Sequence, residues 1–363
     1  MTPTGRLRAA VVGAGGIAQA AHLPAATAHA DVLSVVAVVD VDRERARAVA
    51  RNWRIPAVYT EVDAMLAAER PDLVFVCTPP AAHRTAVISC LDAGAWVWCE
   101  KPPALSLAEY DEMAAHERDG GPYVAYVFQQ RYGAAARRLR SWIGDGTIGP
   151  ALVGLCQTLW YRPPAYFEVP WRGRWATEGG GPTMGHGIHQ LDLLLWLLGD
   201  WTEIRASMAT LQRPVETEDV SMAIVRFAGG TMVSVVNSLL SPREVSHLRL
   251  DFTDATVELT HLYGYDNSHW TWTPAPGRTP VAGWPPEPDV PSGHAAALGD
   301  LLAALRAGVR PAAGGADGRR VLELIAGLYR SALTDTTVRP ADLGPADAFY
   351  RSMNGRPPGT AGG

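Results

Sequence analysis

The stretch LRAAVVGAGGIAQAAHLP, residues 7–24, decides the fold. Leu7–Val12 is a short apolar run, which predicts a strand buried on both faces. It passes directly into a helical pattern through Gly13, Gly15 and Ala18. Gly13 suits a tight turn, Gly15 lets the backbone approach a pyrophosphate, and Ala18 lets helix and strand pack closely. The opening of that helix, at Gly16 and Ile17, offers free N–H groups and a positive dipole end to phosphates. Asp40 ends the next apolar run, 22 residues beyond Ala18, where a carboxylate accepts hydrogen bonds from a ribose diol. Strand, glycine turn, helix and acid in this order predict a dinucleotide-binding βαβ unit. A carboxylate at Asp40 repels a 2′-phosphate, so NAD is the expected cofactor. NADP stays possible because Arg43 lies nearby, although a solvated first-turn residue is the plainer reading of that arginine.

Outward from this unit, short apolar runs keep alternating with helical patterns. Strands are expected at Leu33–Val39, Leu73–Cys77, Ala95–Cys99 and Tyr123–Val127, with helices between them. Such alternation means a doubly wound parallel sheet covered on both faces. Beyond residue 123 the strands lengthen and become amphipathic, from Leu152–Tyr161 to Ala255–Leu262. Gly229-Gly230 marks a hairpin. Helices are expected at Met184–Leu198, His294–Ala307 and Arg319–Ala332. The expected architecture is α/β: an N-terminal Rossmann domain (1–123), then a C-terminal α+β domain (124–340) with an open, mainly antiparallel sheet. Residues 341–363 read as an irregular tail.

Composition sets the outer bounds. The chain has 363 residues and a net charge of −5 at pI 6.1, which lacks the basic footprint of a nucleic-acid binder. No apolar run reaches the ~18 residues of a membrane span. Residues 6–21 superficially resemble a signal peptide, but glycines and a glutamine break the apolar run. Cys77, Cys90, Cys99 and Cys156 form no C-x-x-C pair, as expected for reduced thiols in a cytoplasmic protein. The basic count is uneven: of 32 cations one is lysine, Lys101, and the other 31 are arginines. A GC-rich coding bias accounts for that replacement, and a lysine that resists it is worth following.

Lys101 stands just after the strand Ala95–Cys99, in CEKPP. Strand carboxyl ends line the ligand crevice of an open α/β sheet, so Lys101 is expected at the nicotinamide half of the site. The prolines after it stiffen the strand exit. An arginine there keeps the charge but changes its geometry and cannot give up a proton. Thr78, Pro79, His83 and Glu100 are assigned with Lys101 to the cofactor. A second constellation is GGGPTMGHGIHQLD (179–192). It puts His189 and Asp192 at i and i+3 on one helical face after a glycine run. Histidine titrates near neutrality and suits proton exchange with a carbinol; Asp192 can orient it. Two ligands make no metal site, so none is expected. Substrate contacts are assigned to Lys101, Gln130, Arg131, Tyr161, Arg172, Trp175, His186, His189 and Asp192. Aromatic faces stack on sugars, and arginines clamp anions. The aromatic stretch 261–272 reads first as an interface, second as a pocket wall.

The chain resembles the glucose–fructose oxidoreductase/inositol dehydrogenase (Gfo/Idh/MocA) family along nearly its whole length. The resemblance is carried by GAGGIAQAAHLPA (13–25), CTPPAAH (77–83), CEKP (99–102) and GGGPTMGHGIHQLD (179–192). It implies NAD(P)-dependent oxidation or reduction of a secondary alcohol or ketone of a sugar, cyclitol or sugar derivative. It implies a catalytic lysine at Lys101 and a proton-transferring histidine at His189. A homodimer or homotetramer through the C-terminal sheet is also implied. The rival readings are a redox-assisted NAD-dependent glycosidase or epimerase that retains its cofactor, and a non-catalytic dinucleotide-binding protein. One departure stands out: the family usually carries Asp or Asn four residues before the histidine, where this chain has Gly185. His186 and a tyrosine are both candidates to compensate.

Overall fold

The computed structural model of the chain describes residues 5–279 and 281–356. It divides into two compact units, and the division does not follow one cut near residue 123. The first unit runs to Ala104 and adds Glu109–Val127 and His294–Arg319. The second holds Leu105–Ala108, Phe128–Gly293 and the chain from Arg320.

The first unit is built on β1 (Leu7–Val12), β2 (Leu33–Val39), β3 (Ala57–Tyr59), β4 (Leu73–Val76), β5 (Trp96–Cys99) and β6 (Val124–Tyr126). All pairings are parallel, in the order β3-β2-β1-β4-β5-β6. The order reverses between β1 and β4, which opens a crevice at the strand carboxyl ends. β4 and β5 are buried at every position, as runs sandwiched between helical layers must be. The edge strand β3 was not expected from sequence, since three half-exposed residues carry no periodic signal. The helix opening after Gly15 begins as a π-helical turn, Ala18–His22, and continues as Leu23–Ala28.

The helix His294–Ala307, expected in the C-terminal domain, instead belongs to the first unit. His29 Nε2 lies 2.8 Å from the Ala295 carbonyl, and Tyr126 N donates to Ala313 O at 2.9 Å. Its apolar residues, Leu298, Leu301 and Leu302, are buried there.

The second unit carries β7 (Ala151–Tyr161), β8 (Trp201–Ala209), β9 (Val220–Phe227), β10 (Met232–Ser238), β11 (Leu240–Phe252), β12 (Ala255–His261) and β13 (Trp270–Pro274). Their order is β13-β12-β11-β7-β10-β9-β8, with only β7 and β10 paired in parallel. The expected open, mainly antiparallel sheet is therefore present. β9 alternates strictly: Ser221, Ala223, Val225 and Phe227 are buried, whereas Met222, Ile224 and Arg226 are exposed. The helix Ile188–Leu198 has both its leucines and its polar residues largely buried, so it is a core element rather than an amphipathic surface helix. Residues 357–363, within the expected irregular tail, lie outside the described residues; before them a short helix forms at Ala348–Arg351.

Candidate functional site

In the first unit the chemistry collects at the carboxyl ends of the parallel strands. Gly13 follows β1 at φ +96°, and a Cβ there would sit 2.8 Å from the backbone carbonyl of Cys77. Only glycine fits. A Cβ on Gly15 or Gly16 would meet nothing within 4 Å. The backbone before the helix therefore faces open space, which suits the close approach of a pyrophosphate. Asp40, after β2, accepts from Ala14 N at 2.8 Å and Asp42 N at 2.9 Å. Arg45 clamps it through two further hydrogen bonds, Nε to Oδ2 at 3.0 Å and Nη2 to Oδ1 at 2.7 Å. Burial works to raise its pKa, yet Arg45 and the two N–H groups hold it below the usual carboxylate range. The nearby cation is thus Arg45 rather than Arg43, which stays exposed. The pattern Arg43-Glu44-Arg45 contained that signal, but only the helix started by the Asp42 cap turns Arg45 back to Asp40.

Thr78 and Pro79 follow β4, and the Thr78 hydroxyl has no partner among the described residues. These groups fit a dinucleotide. His83 does not fit as a direct contact: it is fully buried and its ring nitrogens lie 2.9 Å from the Thr78 and Pro102 carbonyls. It braces the β4 exit against the β5 exit. Burial keeps its pKa below the ordinary value despite those two contacts.

Lys101 comes directly after the β5 exit, and its backbone N–H donates to Glu100 Oε2 at 3.2 Å. The other oxygen of Glu100 lies 2.9 Å from His22 Nε2 and 3.5 Å from His294 Nε2. All three side chains are buried. Glu100 therefore anchors the lysine's backbone from below, and its placement as a cofactor contact is corrected to a support. Burial pushes its carboxyl upward, and the two histidines outweigh that and hold it well below the usual range. His22, Glu100 and His294 are also the one cluster of potential metal ligands among the described residues, but they already hydrogen-bond one another.

In the second unit, the glycine run leads into a π-helical turn, Thr183–Gly187, and then the helix Ile188–Leu198. A Cβ on Gly180 would lie 2.0 Å from the Tyr329 hydroxyl, on Gly181 1.9 Å from the Glu218 carbonyl, and on Gly187 2.1 Å from Asn237 Oδ1. Buried Glu218 accepts from Gly181 N, Thr183 N and Tyr329 OH at 3.0, 3.1 and 2.9 Å. Burial raises its pKa even so. These close approaches fix the turn that presents His186 and His189. His189 is 3% exposed, with Tyr263 edge-on at 5.5 Å between ring centroids. His186 packs against Trp160 at 5.2 Å, and its Nε2 lies 3.4 Å from Tyr166 OH.

Arg131 and Asp192, both assigned to substrate, instead bind each other. Arg131 Nε and Nη2 reach the two Asp192 oxygens at 2.7 and 2.5 Å, with both side chains nearly inaccessible. Such a buried fork pins the Gln129–Tyr132 turn to the helix of His189 and leaves neither charge for a sugar. Gln130 is also buried, donating to Tyr263 O at 3.4 Å. Tyr161 is exposed beside Arg213. Trp175 donates to Glu216 O at 2.9 Å and packs on Tyr329. Arg172 lies over Tyr166, with Cζ 3.8 Å from the ring centroid, and reaches Glu178 Oε1 at 3.4 Å. The stretch 261–272, expected first as an interface and second as a pocket wall, is mixed: His261, Tyr265 and Trp270 are buried, Leu262 and Tyr263 are exposed, and Tyr263 also packs against His189. Tyr166, Glu178 and Glu218 were not singled out from sequence, because nothing local distinguishes them from packing residues; Tyr263 was included only as part of the aromatic stretch 261–272.

Comparison with known proteins matches two consecutive parts of the chain. Residues 7–127 match the family of oxidoreductases with an NAD-binding Rossmann fold, and residues 136–258 match the Gfo/Idh/MocA C-terminal domain. The chain is 34% identical to D-glucoside 3-dehydrogenase of Escherichia coli over 53% of its own length, about half (54%) of that relative. It is 29% identical to D-apiose dehydrogenase of Paraburkholderia graminis over 94% of its length and 92% of the relative. The solved WlbA dehydrogenase of Bordetella pertussis, in complex with NADH and UDP-GlcNAcA, superposes with a TM-score of 0.82 at 25% identity. That match covers 92% of this chain and 98% of the other. With two sheets of the matching kinds under two matching domain families in the right order, the chain belongs to the Gfo/Idh/MocA family of NAD-binding oxidoreductases.

Proposed function

We propose that the protein is an NAD-dependent dehydrogenase or reductase that moves a hydride between nicotinamide and a secondary carbinol or ketone of a sugar, cyclitol or sugar derivative. One observation carries the reading. The chain's single lysine leaves β5 at the same sheet edge as the open glycine turn after β1, Asp40 after β2 and Thr78 after β4. Bound NAD supplies the hydride acceptor or donor. Gly15 and Gly16 let the backbone approach its diphosphate, and Asp40 receives the ribose hydroxyls. Lys101, held from below by Glu100, is assigned to the substrate oxygen, where an ammonium stabilises developing alkoxide charge. His189 is assigned to proton exchange. Trp160, Tyr166 and Tyr263, gathered around His186 and His189, are assigned the aromatic faces that suit the C–H faces of a sugar, whereas Tyr161 lies apart beside Arg213.

The test is turnover with NAD across a panel of glucosides, apiose, inositols and UDP-sugars, followed by variants on whichever substrate responds. Lys101→Met and His189→Ala are each expected to lose roughly 100- to 10,000-fold in kcat. Near-normal turnover in both sinks the assignment.

A further inference from the structure

Gly185 differs from its neighbours in the glycine run. Gly180, Gly181 and Gly187 are required by backbone or side-chain atoms that a Cβ would strike at 2.1 Å or less. A Cβ on Gly185 would meet one atom within 4 Å, Glu178 Oε1, at an ordinary 3.6 Å. Packing does not demand a glycine at 185. What occupies the adjoining space is a carboxylate from another segment.

Glu178 ends the helical turn Trp175–Glu178 and is 6% exposed. Two contacts aim it. Gly173 N donates to Oε2 at 2.6 Å, and Arg172 Nη1 donates to Oε1 at 3.4 Å. Arg172 in turn bonds the Tyr166 hydroxyl, which neighbours His186 Nε2 at 3.4 Å. Gly185 and His189 are four residues apart across one helical turn, so they share a face. Glu178 therefore presents its carboxylate one turn before His189, above the face that carries the histidine. Burying a carboxylate in such a place is costly unless its lone pairs are used. Gly173 N–H and the Arg172 guanidinium hold the carboxylate in this orientation, and Oε1 is the oxygen turned toward residue 185.

We propose that Glu178 is a substrate-binding residue, supplying from the loop before the glycine run a carboxylate that accepts a hydroxyl of a polyol substrate next to the carbon attended by His189. This rests on the oxidoreductase reading above and answers how the chain functions with glycine at 185: the acid comes from a different segment, rather than from His186 or a tyrosine. A substrate with at least two neighbouring hydroxyls is implied, one reacting and one held.

The experiment moves the carboxylate. Wild type is first assayed with NAD on the sugar panel; absence of any NADH formation is the failure of the oxidoreductase reading itself. On the responding sugar, Glu178→Gln keeps an acceptor for Gly173 N–H and is expected to lose roughly 10- to 100-fold in kcat/KM, chiefly through KM. NADH binding by fluorescence titration should be unchanged. The double variant Glu178→Gly with Gly185→Asp is expected to recover at least ten-fold over Glu178→Gly alone. A Glu178→Gln enzyme within about two-fold of wild type overturns the proposal. So does a loss that the relocated Asp fails to recover in a variant whose circular dichroism matches wild type, since Glu178 would then serve only to hold the Arg172 loop.

Discussion

At the scale of single residues, we propose that Asp40 and Arg45, which form an ion pair, set the cofactor preference jointly. A carboxylate clamped by a guanidinium is locally neutral, so the repulsion of a 2′-phosphate is weaker than an isolated acid would provide. Removing the acid leaves Arg45 facing the ribose edge. Asp40→Ser is therefore expected to raise the KM for NAD roughly ten-fold or more, through loss of about two hydrogen bonds of ~1 kcal/mol each. The same change should lower the KM for NADP. Initial rates with both cofactors decide it, and an unchanged NADP/NAD ratio would show that Arg45 does not read the phosphate. Lys101 was legible before any fold was known, because a composition nearly emptied of lysine made it conspicuous. Arg131 and Asp192 misled for the opposite reason. Each is the type of residue that binds sugars, and nothing in one dimension shows that residues 61 positions apart neutralise each other.

At the scale of elements, apolar periodicity placed most strands and helices within a few residues. The exceptions are short or irregular pieces such as β3 and the first half of β11, where a register shift between Leu240 and Val245 breaks the alternation. The outer face of the second sheet has its own consequence. Met222 and Ile224 on β9, Met232 on β10 and Leu152 and Val153 on β7 are exposed apolar residues on neighbouring strands. A contiguous patch of this kind on a sheet calls for a cover, and we propose that a second copy of the chain supplies it. Ile224→Asp is expected to halve the mass seen by light scattering at micromolar concentration while leaving circular dichroism unchanged. Equal masses for variant and wild type would remove this face from the assembly.

At the scale of the whole molecule, buried histidines make stability depend on pH. Burial lowers the pKa of His22, His83 and His261, the last to about 4. In the unfolded chain each binds a proton near pH 6.5, so below that value protons favour unfolding. The contribution of these three histidines is expected to be full above pH 6.5 and to fall as pH drops from 6.5 toward 4. His261 alone is expected to contribute roughly 3 kcal/mol of that loss by pH 4. Urea midpoints between pH 8 and 4.5 should decline accordingly, and His261→Gln should flatten the slope by about the share of one proton. A slope unaltered by that change would assign the acid sensitivity elsewhere.

The sequence by itself determined the doubly wound first sheet, the glycine turn, Asp40, Lys101 and the histidine-bearing helix. All of these are local: a period, a turn residue or a rare residue type is readable within a dozen positions. Tertiary structure alone decided that His294 returns to the first unit to meet Glu100, that Arg131 is spent on Asp192, and that Glu178 fills the space beside Gly185. Each of those pairs side chains from distant segments, and burial makes the outcome depend on which partner satisfies a charge rather than on residue type.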